Sequence, residues 1–164
     1  MTWGISTDTL LQIHVALSLI GIASGLVVLY GLLTGNPLAG WTALFLATTI
    51  LTGVTGFPLP PFGWDPARTV GVTLLVLVAT AVAARYAFHL AGAWRWIYIV
   101  GTVMALYLNV FVGVIQAFQK LPFLQALAPT QTEPPFQVTQ AVILTVFVLL
   151  AVVAVLRFRP APKV

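Results

Sequence analysis

The chain has 164 residues, of which 60% are hydrophobic and only 6% charged, and its mean hydropathy is +1.07. So few charges cannot cover a water-soluble globule, and the apolar runs are long enough to cross a hydrocarbon core, which takes about 20 helical residues each. The net charge of +4 is spread over the ends of the apolar runs rather than gathered in a patch, which argues against a nucleic-acid partner, and the absence of cysteine excludes disulfides, thiolate metal sites and cysteine nucleophiles.

In chain order, MTWGISTD precedes the first apolar run without Lys or Arg, and that run is far longer than the apolar core of a signal peptide, so it is expected to stay as a membrane span. The first span is predicted over about 9–33, capped by Asp8 or Thr7 and ended by Gly35-Asn36-Pro37, because proline cannot continue the hydrogen-bond ladder. The second covers about 38–56 and stops at FPLPPFGWDP, a rigid loop over 57–66 rich in proline and aromatics. The third and fourth, about 67–90 and 94–120, are joined by a link short enough to force an antiparallel pair. A polar-leaning loop over 121–136 follows, in which Pro122 to Leu127 forms an amphipathic turn, and the last span covers about 137–156 before a basic tail. The expected fold is all-α: one polytopic transmembrane bundle of five helices.

Orientation follows from Lys and Arg, which stay on the cytoplasmic side. Arg85, Arg95, Arg157, Arg159 and Lys163 fall on one side, and Arg68 and Lys120 on the other, together with Asp8, Asp65 and Glu133. This puts the N-terminus and both long loops outside and the C-terminus in the cytoplasm.

His14 is the first residue to weigh for function. It lies roughly 9 Å into the first helix at 1.5 Å per residue, and an ionisable side chain buried there is a functional candidate by default. The same count places Thr52, Gln116 and Gln140 roughly 5–8 Å deep, and Ser18, Thr48 and Asn109 roughly 15 Å deep. Spacings of three or four align His14, Ser18, Gly21 and Gly25 on the first helix, Thr48, Thr52 and Thr55 on the second, and Asn109, Gly113, Gln116 and Lys120 on the fourth. Two readings fit such stripes: hydrogen bonds that hold helices together, or a pocket open to the outer leaflet. The GxxxG spacings Gly21–Gly25 and Gly31–Gly35 allow close helix packing, within this chain or against another copy.

The second histidine, His89, lies roughly 24 Å further in along the normal, which excludes a single haem held by both histidines of one chain; a haem on His14 alone or one shared between subunits stays open, as does a quinone. Arg85, Arg95 and Arg157, among aromatics such as Tyr86 and Trp94, read as headgroup-depth anchors with an anionic-lipid site as the alternative. The spans carry no Asp or Glu, and no HExxH, GxSxG or phosphate loop occurs, so catalysis by this chain and a metal site are not expected.

The stretches WTALFLATTILTGVTGFPLP, RYAFHLAGAWRWIY and LYLNVFVGVIQAFQKLP resemble small bacterial multi-pass membrane proteins. The resemblance implies a bacterial inner-membrane location and carries no motif tied to a chemistry. The expected function is a small binding or accessory protein, within a larger membrane complex or as a homo-oligomer, whose outer pocket around His14, Asn109 and Gln116 takes a quinone, haem or lipid, with Phe57, Phe62 and Trp64 as cover. A channel or transporter lined by the polar stripes is the alternative, and a purely structural subunit a third.

Overall fold

The computed structural model describes residues 4–60 and 63–159. Its regular elements are helices: α1 (Thr7–Thr34), α2 (Ala39–Gly56), α3 (Pro66–Val82), α4 (Trp94–Lys120), the short α5 (Pro122–Leu127) and α6 (Pro134–Arg157). A π-helical turn, Ala83–Ala87, extends α3. Five of these helices are long and apolar enough to cross a membrane, counting α3 with its π extension. Half-exposed leucines and valines such as Leu19, Leu26, Val76, Val142 and Leu149 are spread around the bundle, as a hydrocarbon solvent allows and water does not.

The helix ends follow from local chemistry. α1 begins earlier than its apolar run suggests because Ser6, rather than Thr7 or Asp8, is the N-cap: its hydroxyl accepts from the Thr9 N–H at 3.1 Å. It ends at Gly35, whose φ of 73° lies in the left-handed region, and the Asn36 N–H closes the turn on the Gly31 carbonyl at 2.8 Å. Asp65 caps α3 ahead of Pro66, and Pro134 likewise starts α6 three residues before the predicted span. At the other end of α3 the π turn leads into His89 and Leu90, both at positive φ, and the Leu90 N–H bonds back to Ala84 O at 2.9 Å. The third span therefore ends in a wound-down turn rather than running as a regular helix to Leu90.

α1 packs on α2, α4 and α6; α2 also packs on α3, and α3 on α4. The first four spans thus close a ring, and α6 lies in the groove between α1 and α4. Half of the apolar stretch of α4 is buried, against 11% for α6, so α4 is the central helix and α6 the peripheral one. The apolar core gathers Val28, Leu32, Phe45, Val78, Ile99, Val103 and Leu106.

Alternating helix directions give the bundle two distinct ends. The His14 end carries the loops 57–65 and 121–133. The arginine end carries Arg85, Arg95 and Arg157. There Arg95 donates to the carbonyls of Val155 at 2.9 Å and Phe158 at 2.7 Å, so its guanidinium caps α6 while the Phe158 ring is buried beside Tyr98. Arg95→Ala is expected to destabilise the protein by about 1–3 kcal/mol, the cost of leaving such carbonyls without a donor. Thermal unfolding in detergent checks the magnitude, and faster proteolysis after Leu156 checks the place.

Candidate functional site

His14 is held by the last turn of α2. Its Nδ1 lies 3.1 Å from Thr55 Oγ1. The ring edge fits against Gly56, where an added Cβ would stand 3.3 Å from His14 Cε1. Thr55 in turn donates to the Leu51 carbonyl at 2.7 Å, and Ser18 donates to the His14 carbonyl at 2.8 Å. His14 and Ser18 are half-buried, and Thr55 is buried. The Thr52 backbone carbonyl also accepts from the ring, and the other nitrogen, Nε2, has no side-chain partner among the described residues.

Counting depth from helix ends placed His14 level with Thr52; the structure bonds the ring to the Thr52 backbone but gives it Thr55 as its side-chain partner. The count treats all helices as starting in one plane, whereas α1 extends beyond the end of α2 by more than a turn. The register is otherwise regular: seven residues on from His14, Gly21 faces Thr48, seven back from Thr55. The deeper layer closes there. An added Cβ at Gly21 would lie 3.5 Å from the hydroxyls of both Thr48 and Thr49 and 3.7 Å from Asn109 Nδ2, which donates to Thr49 Oγ1 at 3.3 Å. Thr52 lies between the layers with its hydroxyl oxygen buried and unpartnered.

Compared with protein-family models, with curated proteins and with solved structures, the chain matches none.

The glutamines do not join His14. Gln116 is exposed. Gln140 bonds across the α4–α6 seam to Phe111 O at 3.2 Å, leaving its Oε1 buried and unpartnered. The polar site is thus built by α1, α2 and α4 from His14, Thr55, Ser18, Thr52, Thr48, Thr49 and Asn109. Thr55 and Thr49 are the members that the depth count missed; the small Gly56 next to Thr55 was the signal for a bulky neighbour.

Of the loop aromatics expected as cover, Phe57 and Trp64 are described. Phe57 lies by Gly71 of α3, about 4 Å from where a Cβ there would be. Trp64 is 74% exposed, and Phe62 falls outside the described residues. The two described ends of the loop are tied together, because Arg68 pairs with Asp65 at 2.6 Å and donates to the carbonyls of Phe57 and Leu59 at 3.1 and 3.0 Å. In the second loop, desolvation pushes the Glu133 carboxyl up. The bonds it accepts from its own N–H, from the Thr130 hydroxyl and N–H and from the Thr132 N–H outweigh that and hold it below the usual carboxylate range.

At the arginine end, Arg85 stands over the rings of Tyr86 and Tyr98, 5.7 and 5.5 Å from their centroids, Arg95 is engaged by α6, and Arg157 is exposed. His89 is also exposed there, at the end opposite His14. The described residues hold no group of three or more metal-ligating side chains. Two surface grooves, of about 290 and 340 Å³, are apolar, lie along α6 and do not touch His14.

Proposed function

We propose that this chain is a membrane-embedded binding or accessory protein that presents His14 to a small lipid-phase ligand, with quinone, haem and lipid as the classes to test. The observation that carries the reading is the histidine itself. It is oriented on one side by Thr55, Gly56 and the Thr52 carbonyl, while its second nitrogen has no side-chain partner at a depth where an unused polar atom is costly. A histidine serving only to join helices would be expected to use that nitrogen as well. The charge distribution, with Arg85, Arg95 and Arg157 at the end opposite His14, supports an N-out, C-in orientation. The resemblance to small bacterial multi-pass proteins supports the inner membrane as its place, as an accessory subunit or an oligomer.

A channel is the weaker reading. One turn below the Asn109 layer the bundle centre is filled by Phe45 and Leu106, which are 0% and 1% exposed and leave no room for a Cβ at Gly25. The buried Thr42 and Thr102 beyond that plug are cut off from His14.

The test is purification from a native membrane in mild detergent, followed by an absorption spectrum and mass spectrometry of retained small molecules. A retained compound that is lost in His14→Ala, with thermal stability changed by no more than about 1 kcal/mol, supports the reading, since one membrane-buried hydrogen bond is worth on that order. A ligand-free protein, or a ligand retained equally by the variant, overturns it.

A further inference from the structure

The proton arrangement around His14 restricts the ligand further. Thr55 has a single hydroxyl proton, and its nearest acceptor is the Leu51 carbonyl at 2.7 Å, the usual back-bond of a helical threonine. The 3.1 Å contact with His14 then draws its proton from the ring, to which the acceptor-only Thr52 carbonyl is also bonded, and this arrangement has Nδ1–H donating and Thr55 Oγ1 accepting. The ring is neutral in this arrangement, because an imidazolium at hydrocarbon depth needs a counter-charge and the one carboxylate on the spanning helices, Asp8, lies in the first turn of α1, roughly 9 Å along the axis from His14. A neutral imidazole has one N–H. With that proton on Nδ1, Nε2 is a bare acceptor on a half-buried ring.

Taking the binding role of His14 as its premise, we infer that the ligand is a hydrogen-bond donor: a membrane-soluble aromatic hydroxyl compound of the quinol type, favoured over its oxidised carbonyl form. A quinone carbonyl brought to Nε2 would set acceptor against acceptor, whereas a quinol hydroxyl completes the chain O–H to Nε2, Nδ1–H to Thr55, Thr55 O–H to Leu51. The surroundings suit an apolar ring with a polar edge. Leu11, one turn above His14, and Leu51, one turn below Thr55, are 42% and 48% exposed. A haem iron would also accept the lone pair. The interior below His14 gives a porphyrin no slot, since Gly21, Thr48, Thr49 and Asn109 close on one another within 3.7 Å. The proposal concerns binding alone and includes no electron transfer.

Two measurements on the whole protein in nanodiscs test it. The first is nitrogen-15 NMR of histidine, with Thr55→Val and Thr55→Ser as variants. The second is titration with a short-chain benzoquinol, kept reduced, and with the matching benzoquinone. The expected results are a protonated Nδ1, an Nε2 signal that moves on quinol addition, and quinol binding about tenfold tighter than quinone. Thr55→Val should shift the tautomer and erase the preference, and Thr55→Ser should keep both. An unprotonated Nδ1, or quinone bound as tightly as quinol through His14, overturns this inference and leaves the binding role standing. An Nε2 signal that neither compound moves overturns the quinol assignment, and the binding role then stands or falls on the retained-ligand experiment.

Discussion

Gly31→Ala is expected to destabilise the bundle by about 3 kcal/mol or more, the upper range for forcing a methyl group into a packed interior. The added Cβ would stand 2.6 Å from the backbone oxygen of Asn36 and 3.0 Å from Leu38 Cδ1. The carbonyl cannot rotate away, because the Asn36 N–H is bonded to Gly31 O at 2.8 Å and the chain reverses through Gly35 in the left-handed region. The α1–α2 turn must therefore open, and with it the register that sets Thr55 against His14. Gly25→Ala meets Leu106 Cδ1 at 2.6 Å and the Phe45 ring at 2.8 Å, side chains that can give, and a cost of about 1–3 kcal/mol is expected. Gly40→Ala, with nothing within 4 Å, is the control, and should be neutral or slightly stabilising from helix propensity. Thermal unfolding of the three variants in one detergent decides the matter: equal melting of Gly31→Ala and Gly40→Ala would show that the turn is not tightly closed.

These glycines also answer a question that the sequence left open. The Gly21–Gly25 spacing is satisfied inside the chain, where Gly21 admits Thr48 and Thr49 and Gly25 admits Phe45 and Leu106. Gly31–Gly35 is a turn device, and at Gly35 it also meets the end of α6, where an added Cβ would lie 3.6 Å from the Arg157 carbonyl oxygen. Neither spacing is left over as a seam for another copy.

The membrane spans were legible because a bilayer permits so few solutions: apolar runs of the right length must be helices, and Gly35-Asn36-Pro37 and Pro66 punctuate them. The assembly of those helices was less legible. In lipid both the inward and the outward face of a helix are apolar, so α6 gives no pattern that tells its α4 side from its lipid side. A shared stripe also fixes only a common direction. Asn109 and Gln116, two turns apart on α4, lie on nearly one line, yet Asn109 is buried and Gln116 exposed, since neighbouring helices cover that line at one level and not at the other. The π turn at Ala83–Ala87 has no composition signal, and the pairing of His14 with Thr55 depended on how far α1 overhangs α2, which no single helix encodes.

Arg68→Ala is expected to have the second large effect, about 2–4 kcal/mol, and to act on the loop at the His14 end. The side chain is 12% exposed and its partner Asp65 24%, so solvent screens the pair only in part. Removing the guanidinium takes donors from the carbonyls of Phe57 and Leu59, bonds of the charge-assisted kind worth about 1.5–3 kcal/mol each before non-additivity, and leaves the Asp65 carboxylate half-buried without its ion. Asp65→Asn is the comparison. Asn is an equally good N-cap and can still accept from the Arg68 N–H, now 2.8 Å from Asp65 Oδ1, so only the ionic component is lost and a smaller effect is expected. Because the Phe57 carbonyl directly follows the Thr55-Gly56 turn, the loosened loop should also free that turn. Arg68→Ala is therefore expected to broaden the His14 ring signals and speed proteolysis within 57–65, and Asp65→Asn to do so much less. Equal effects of the two substitutions would mean that the ion pair alone, and not the carbonyl clamp, holds the loop.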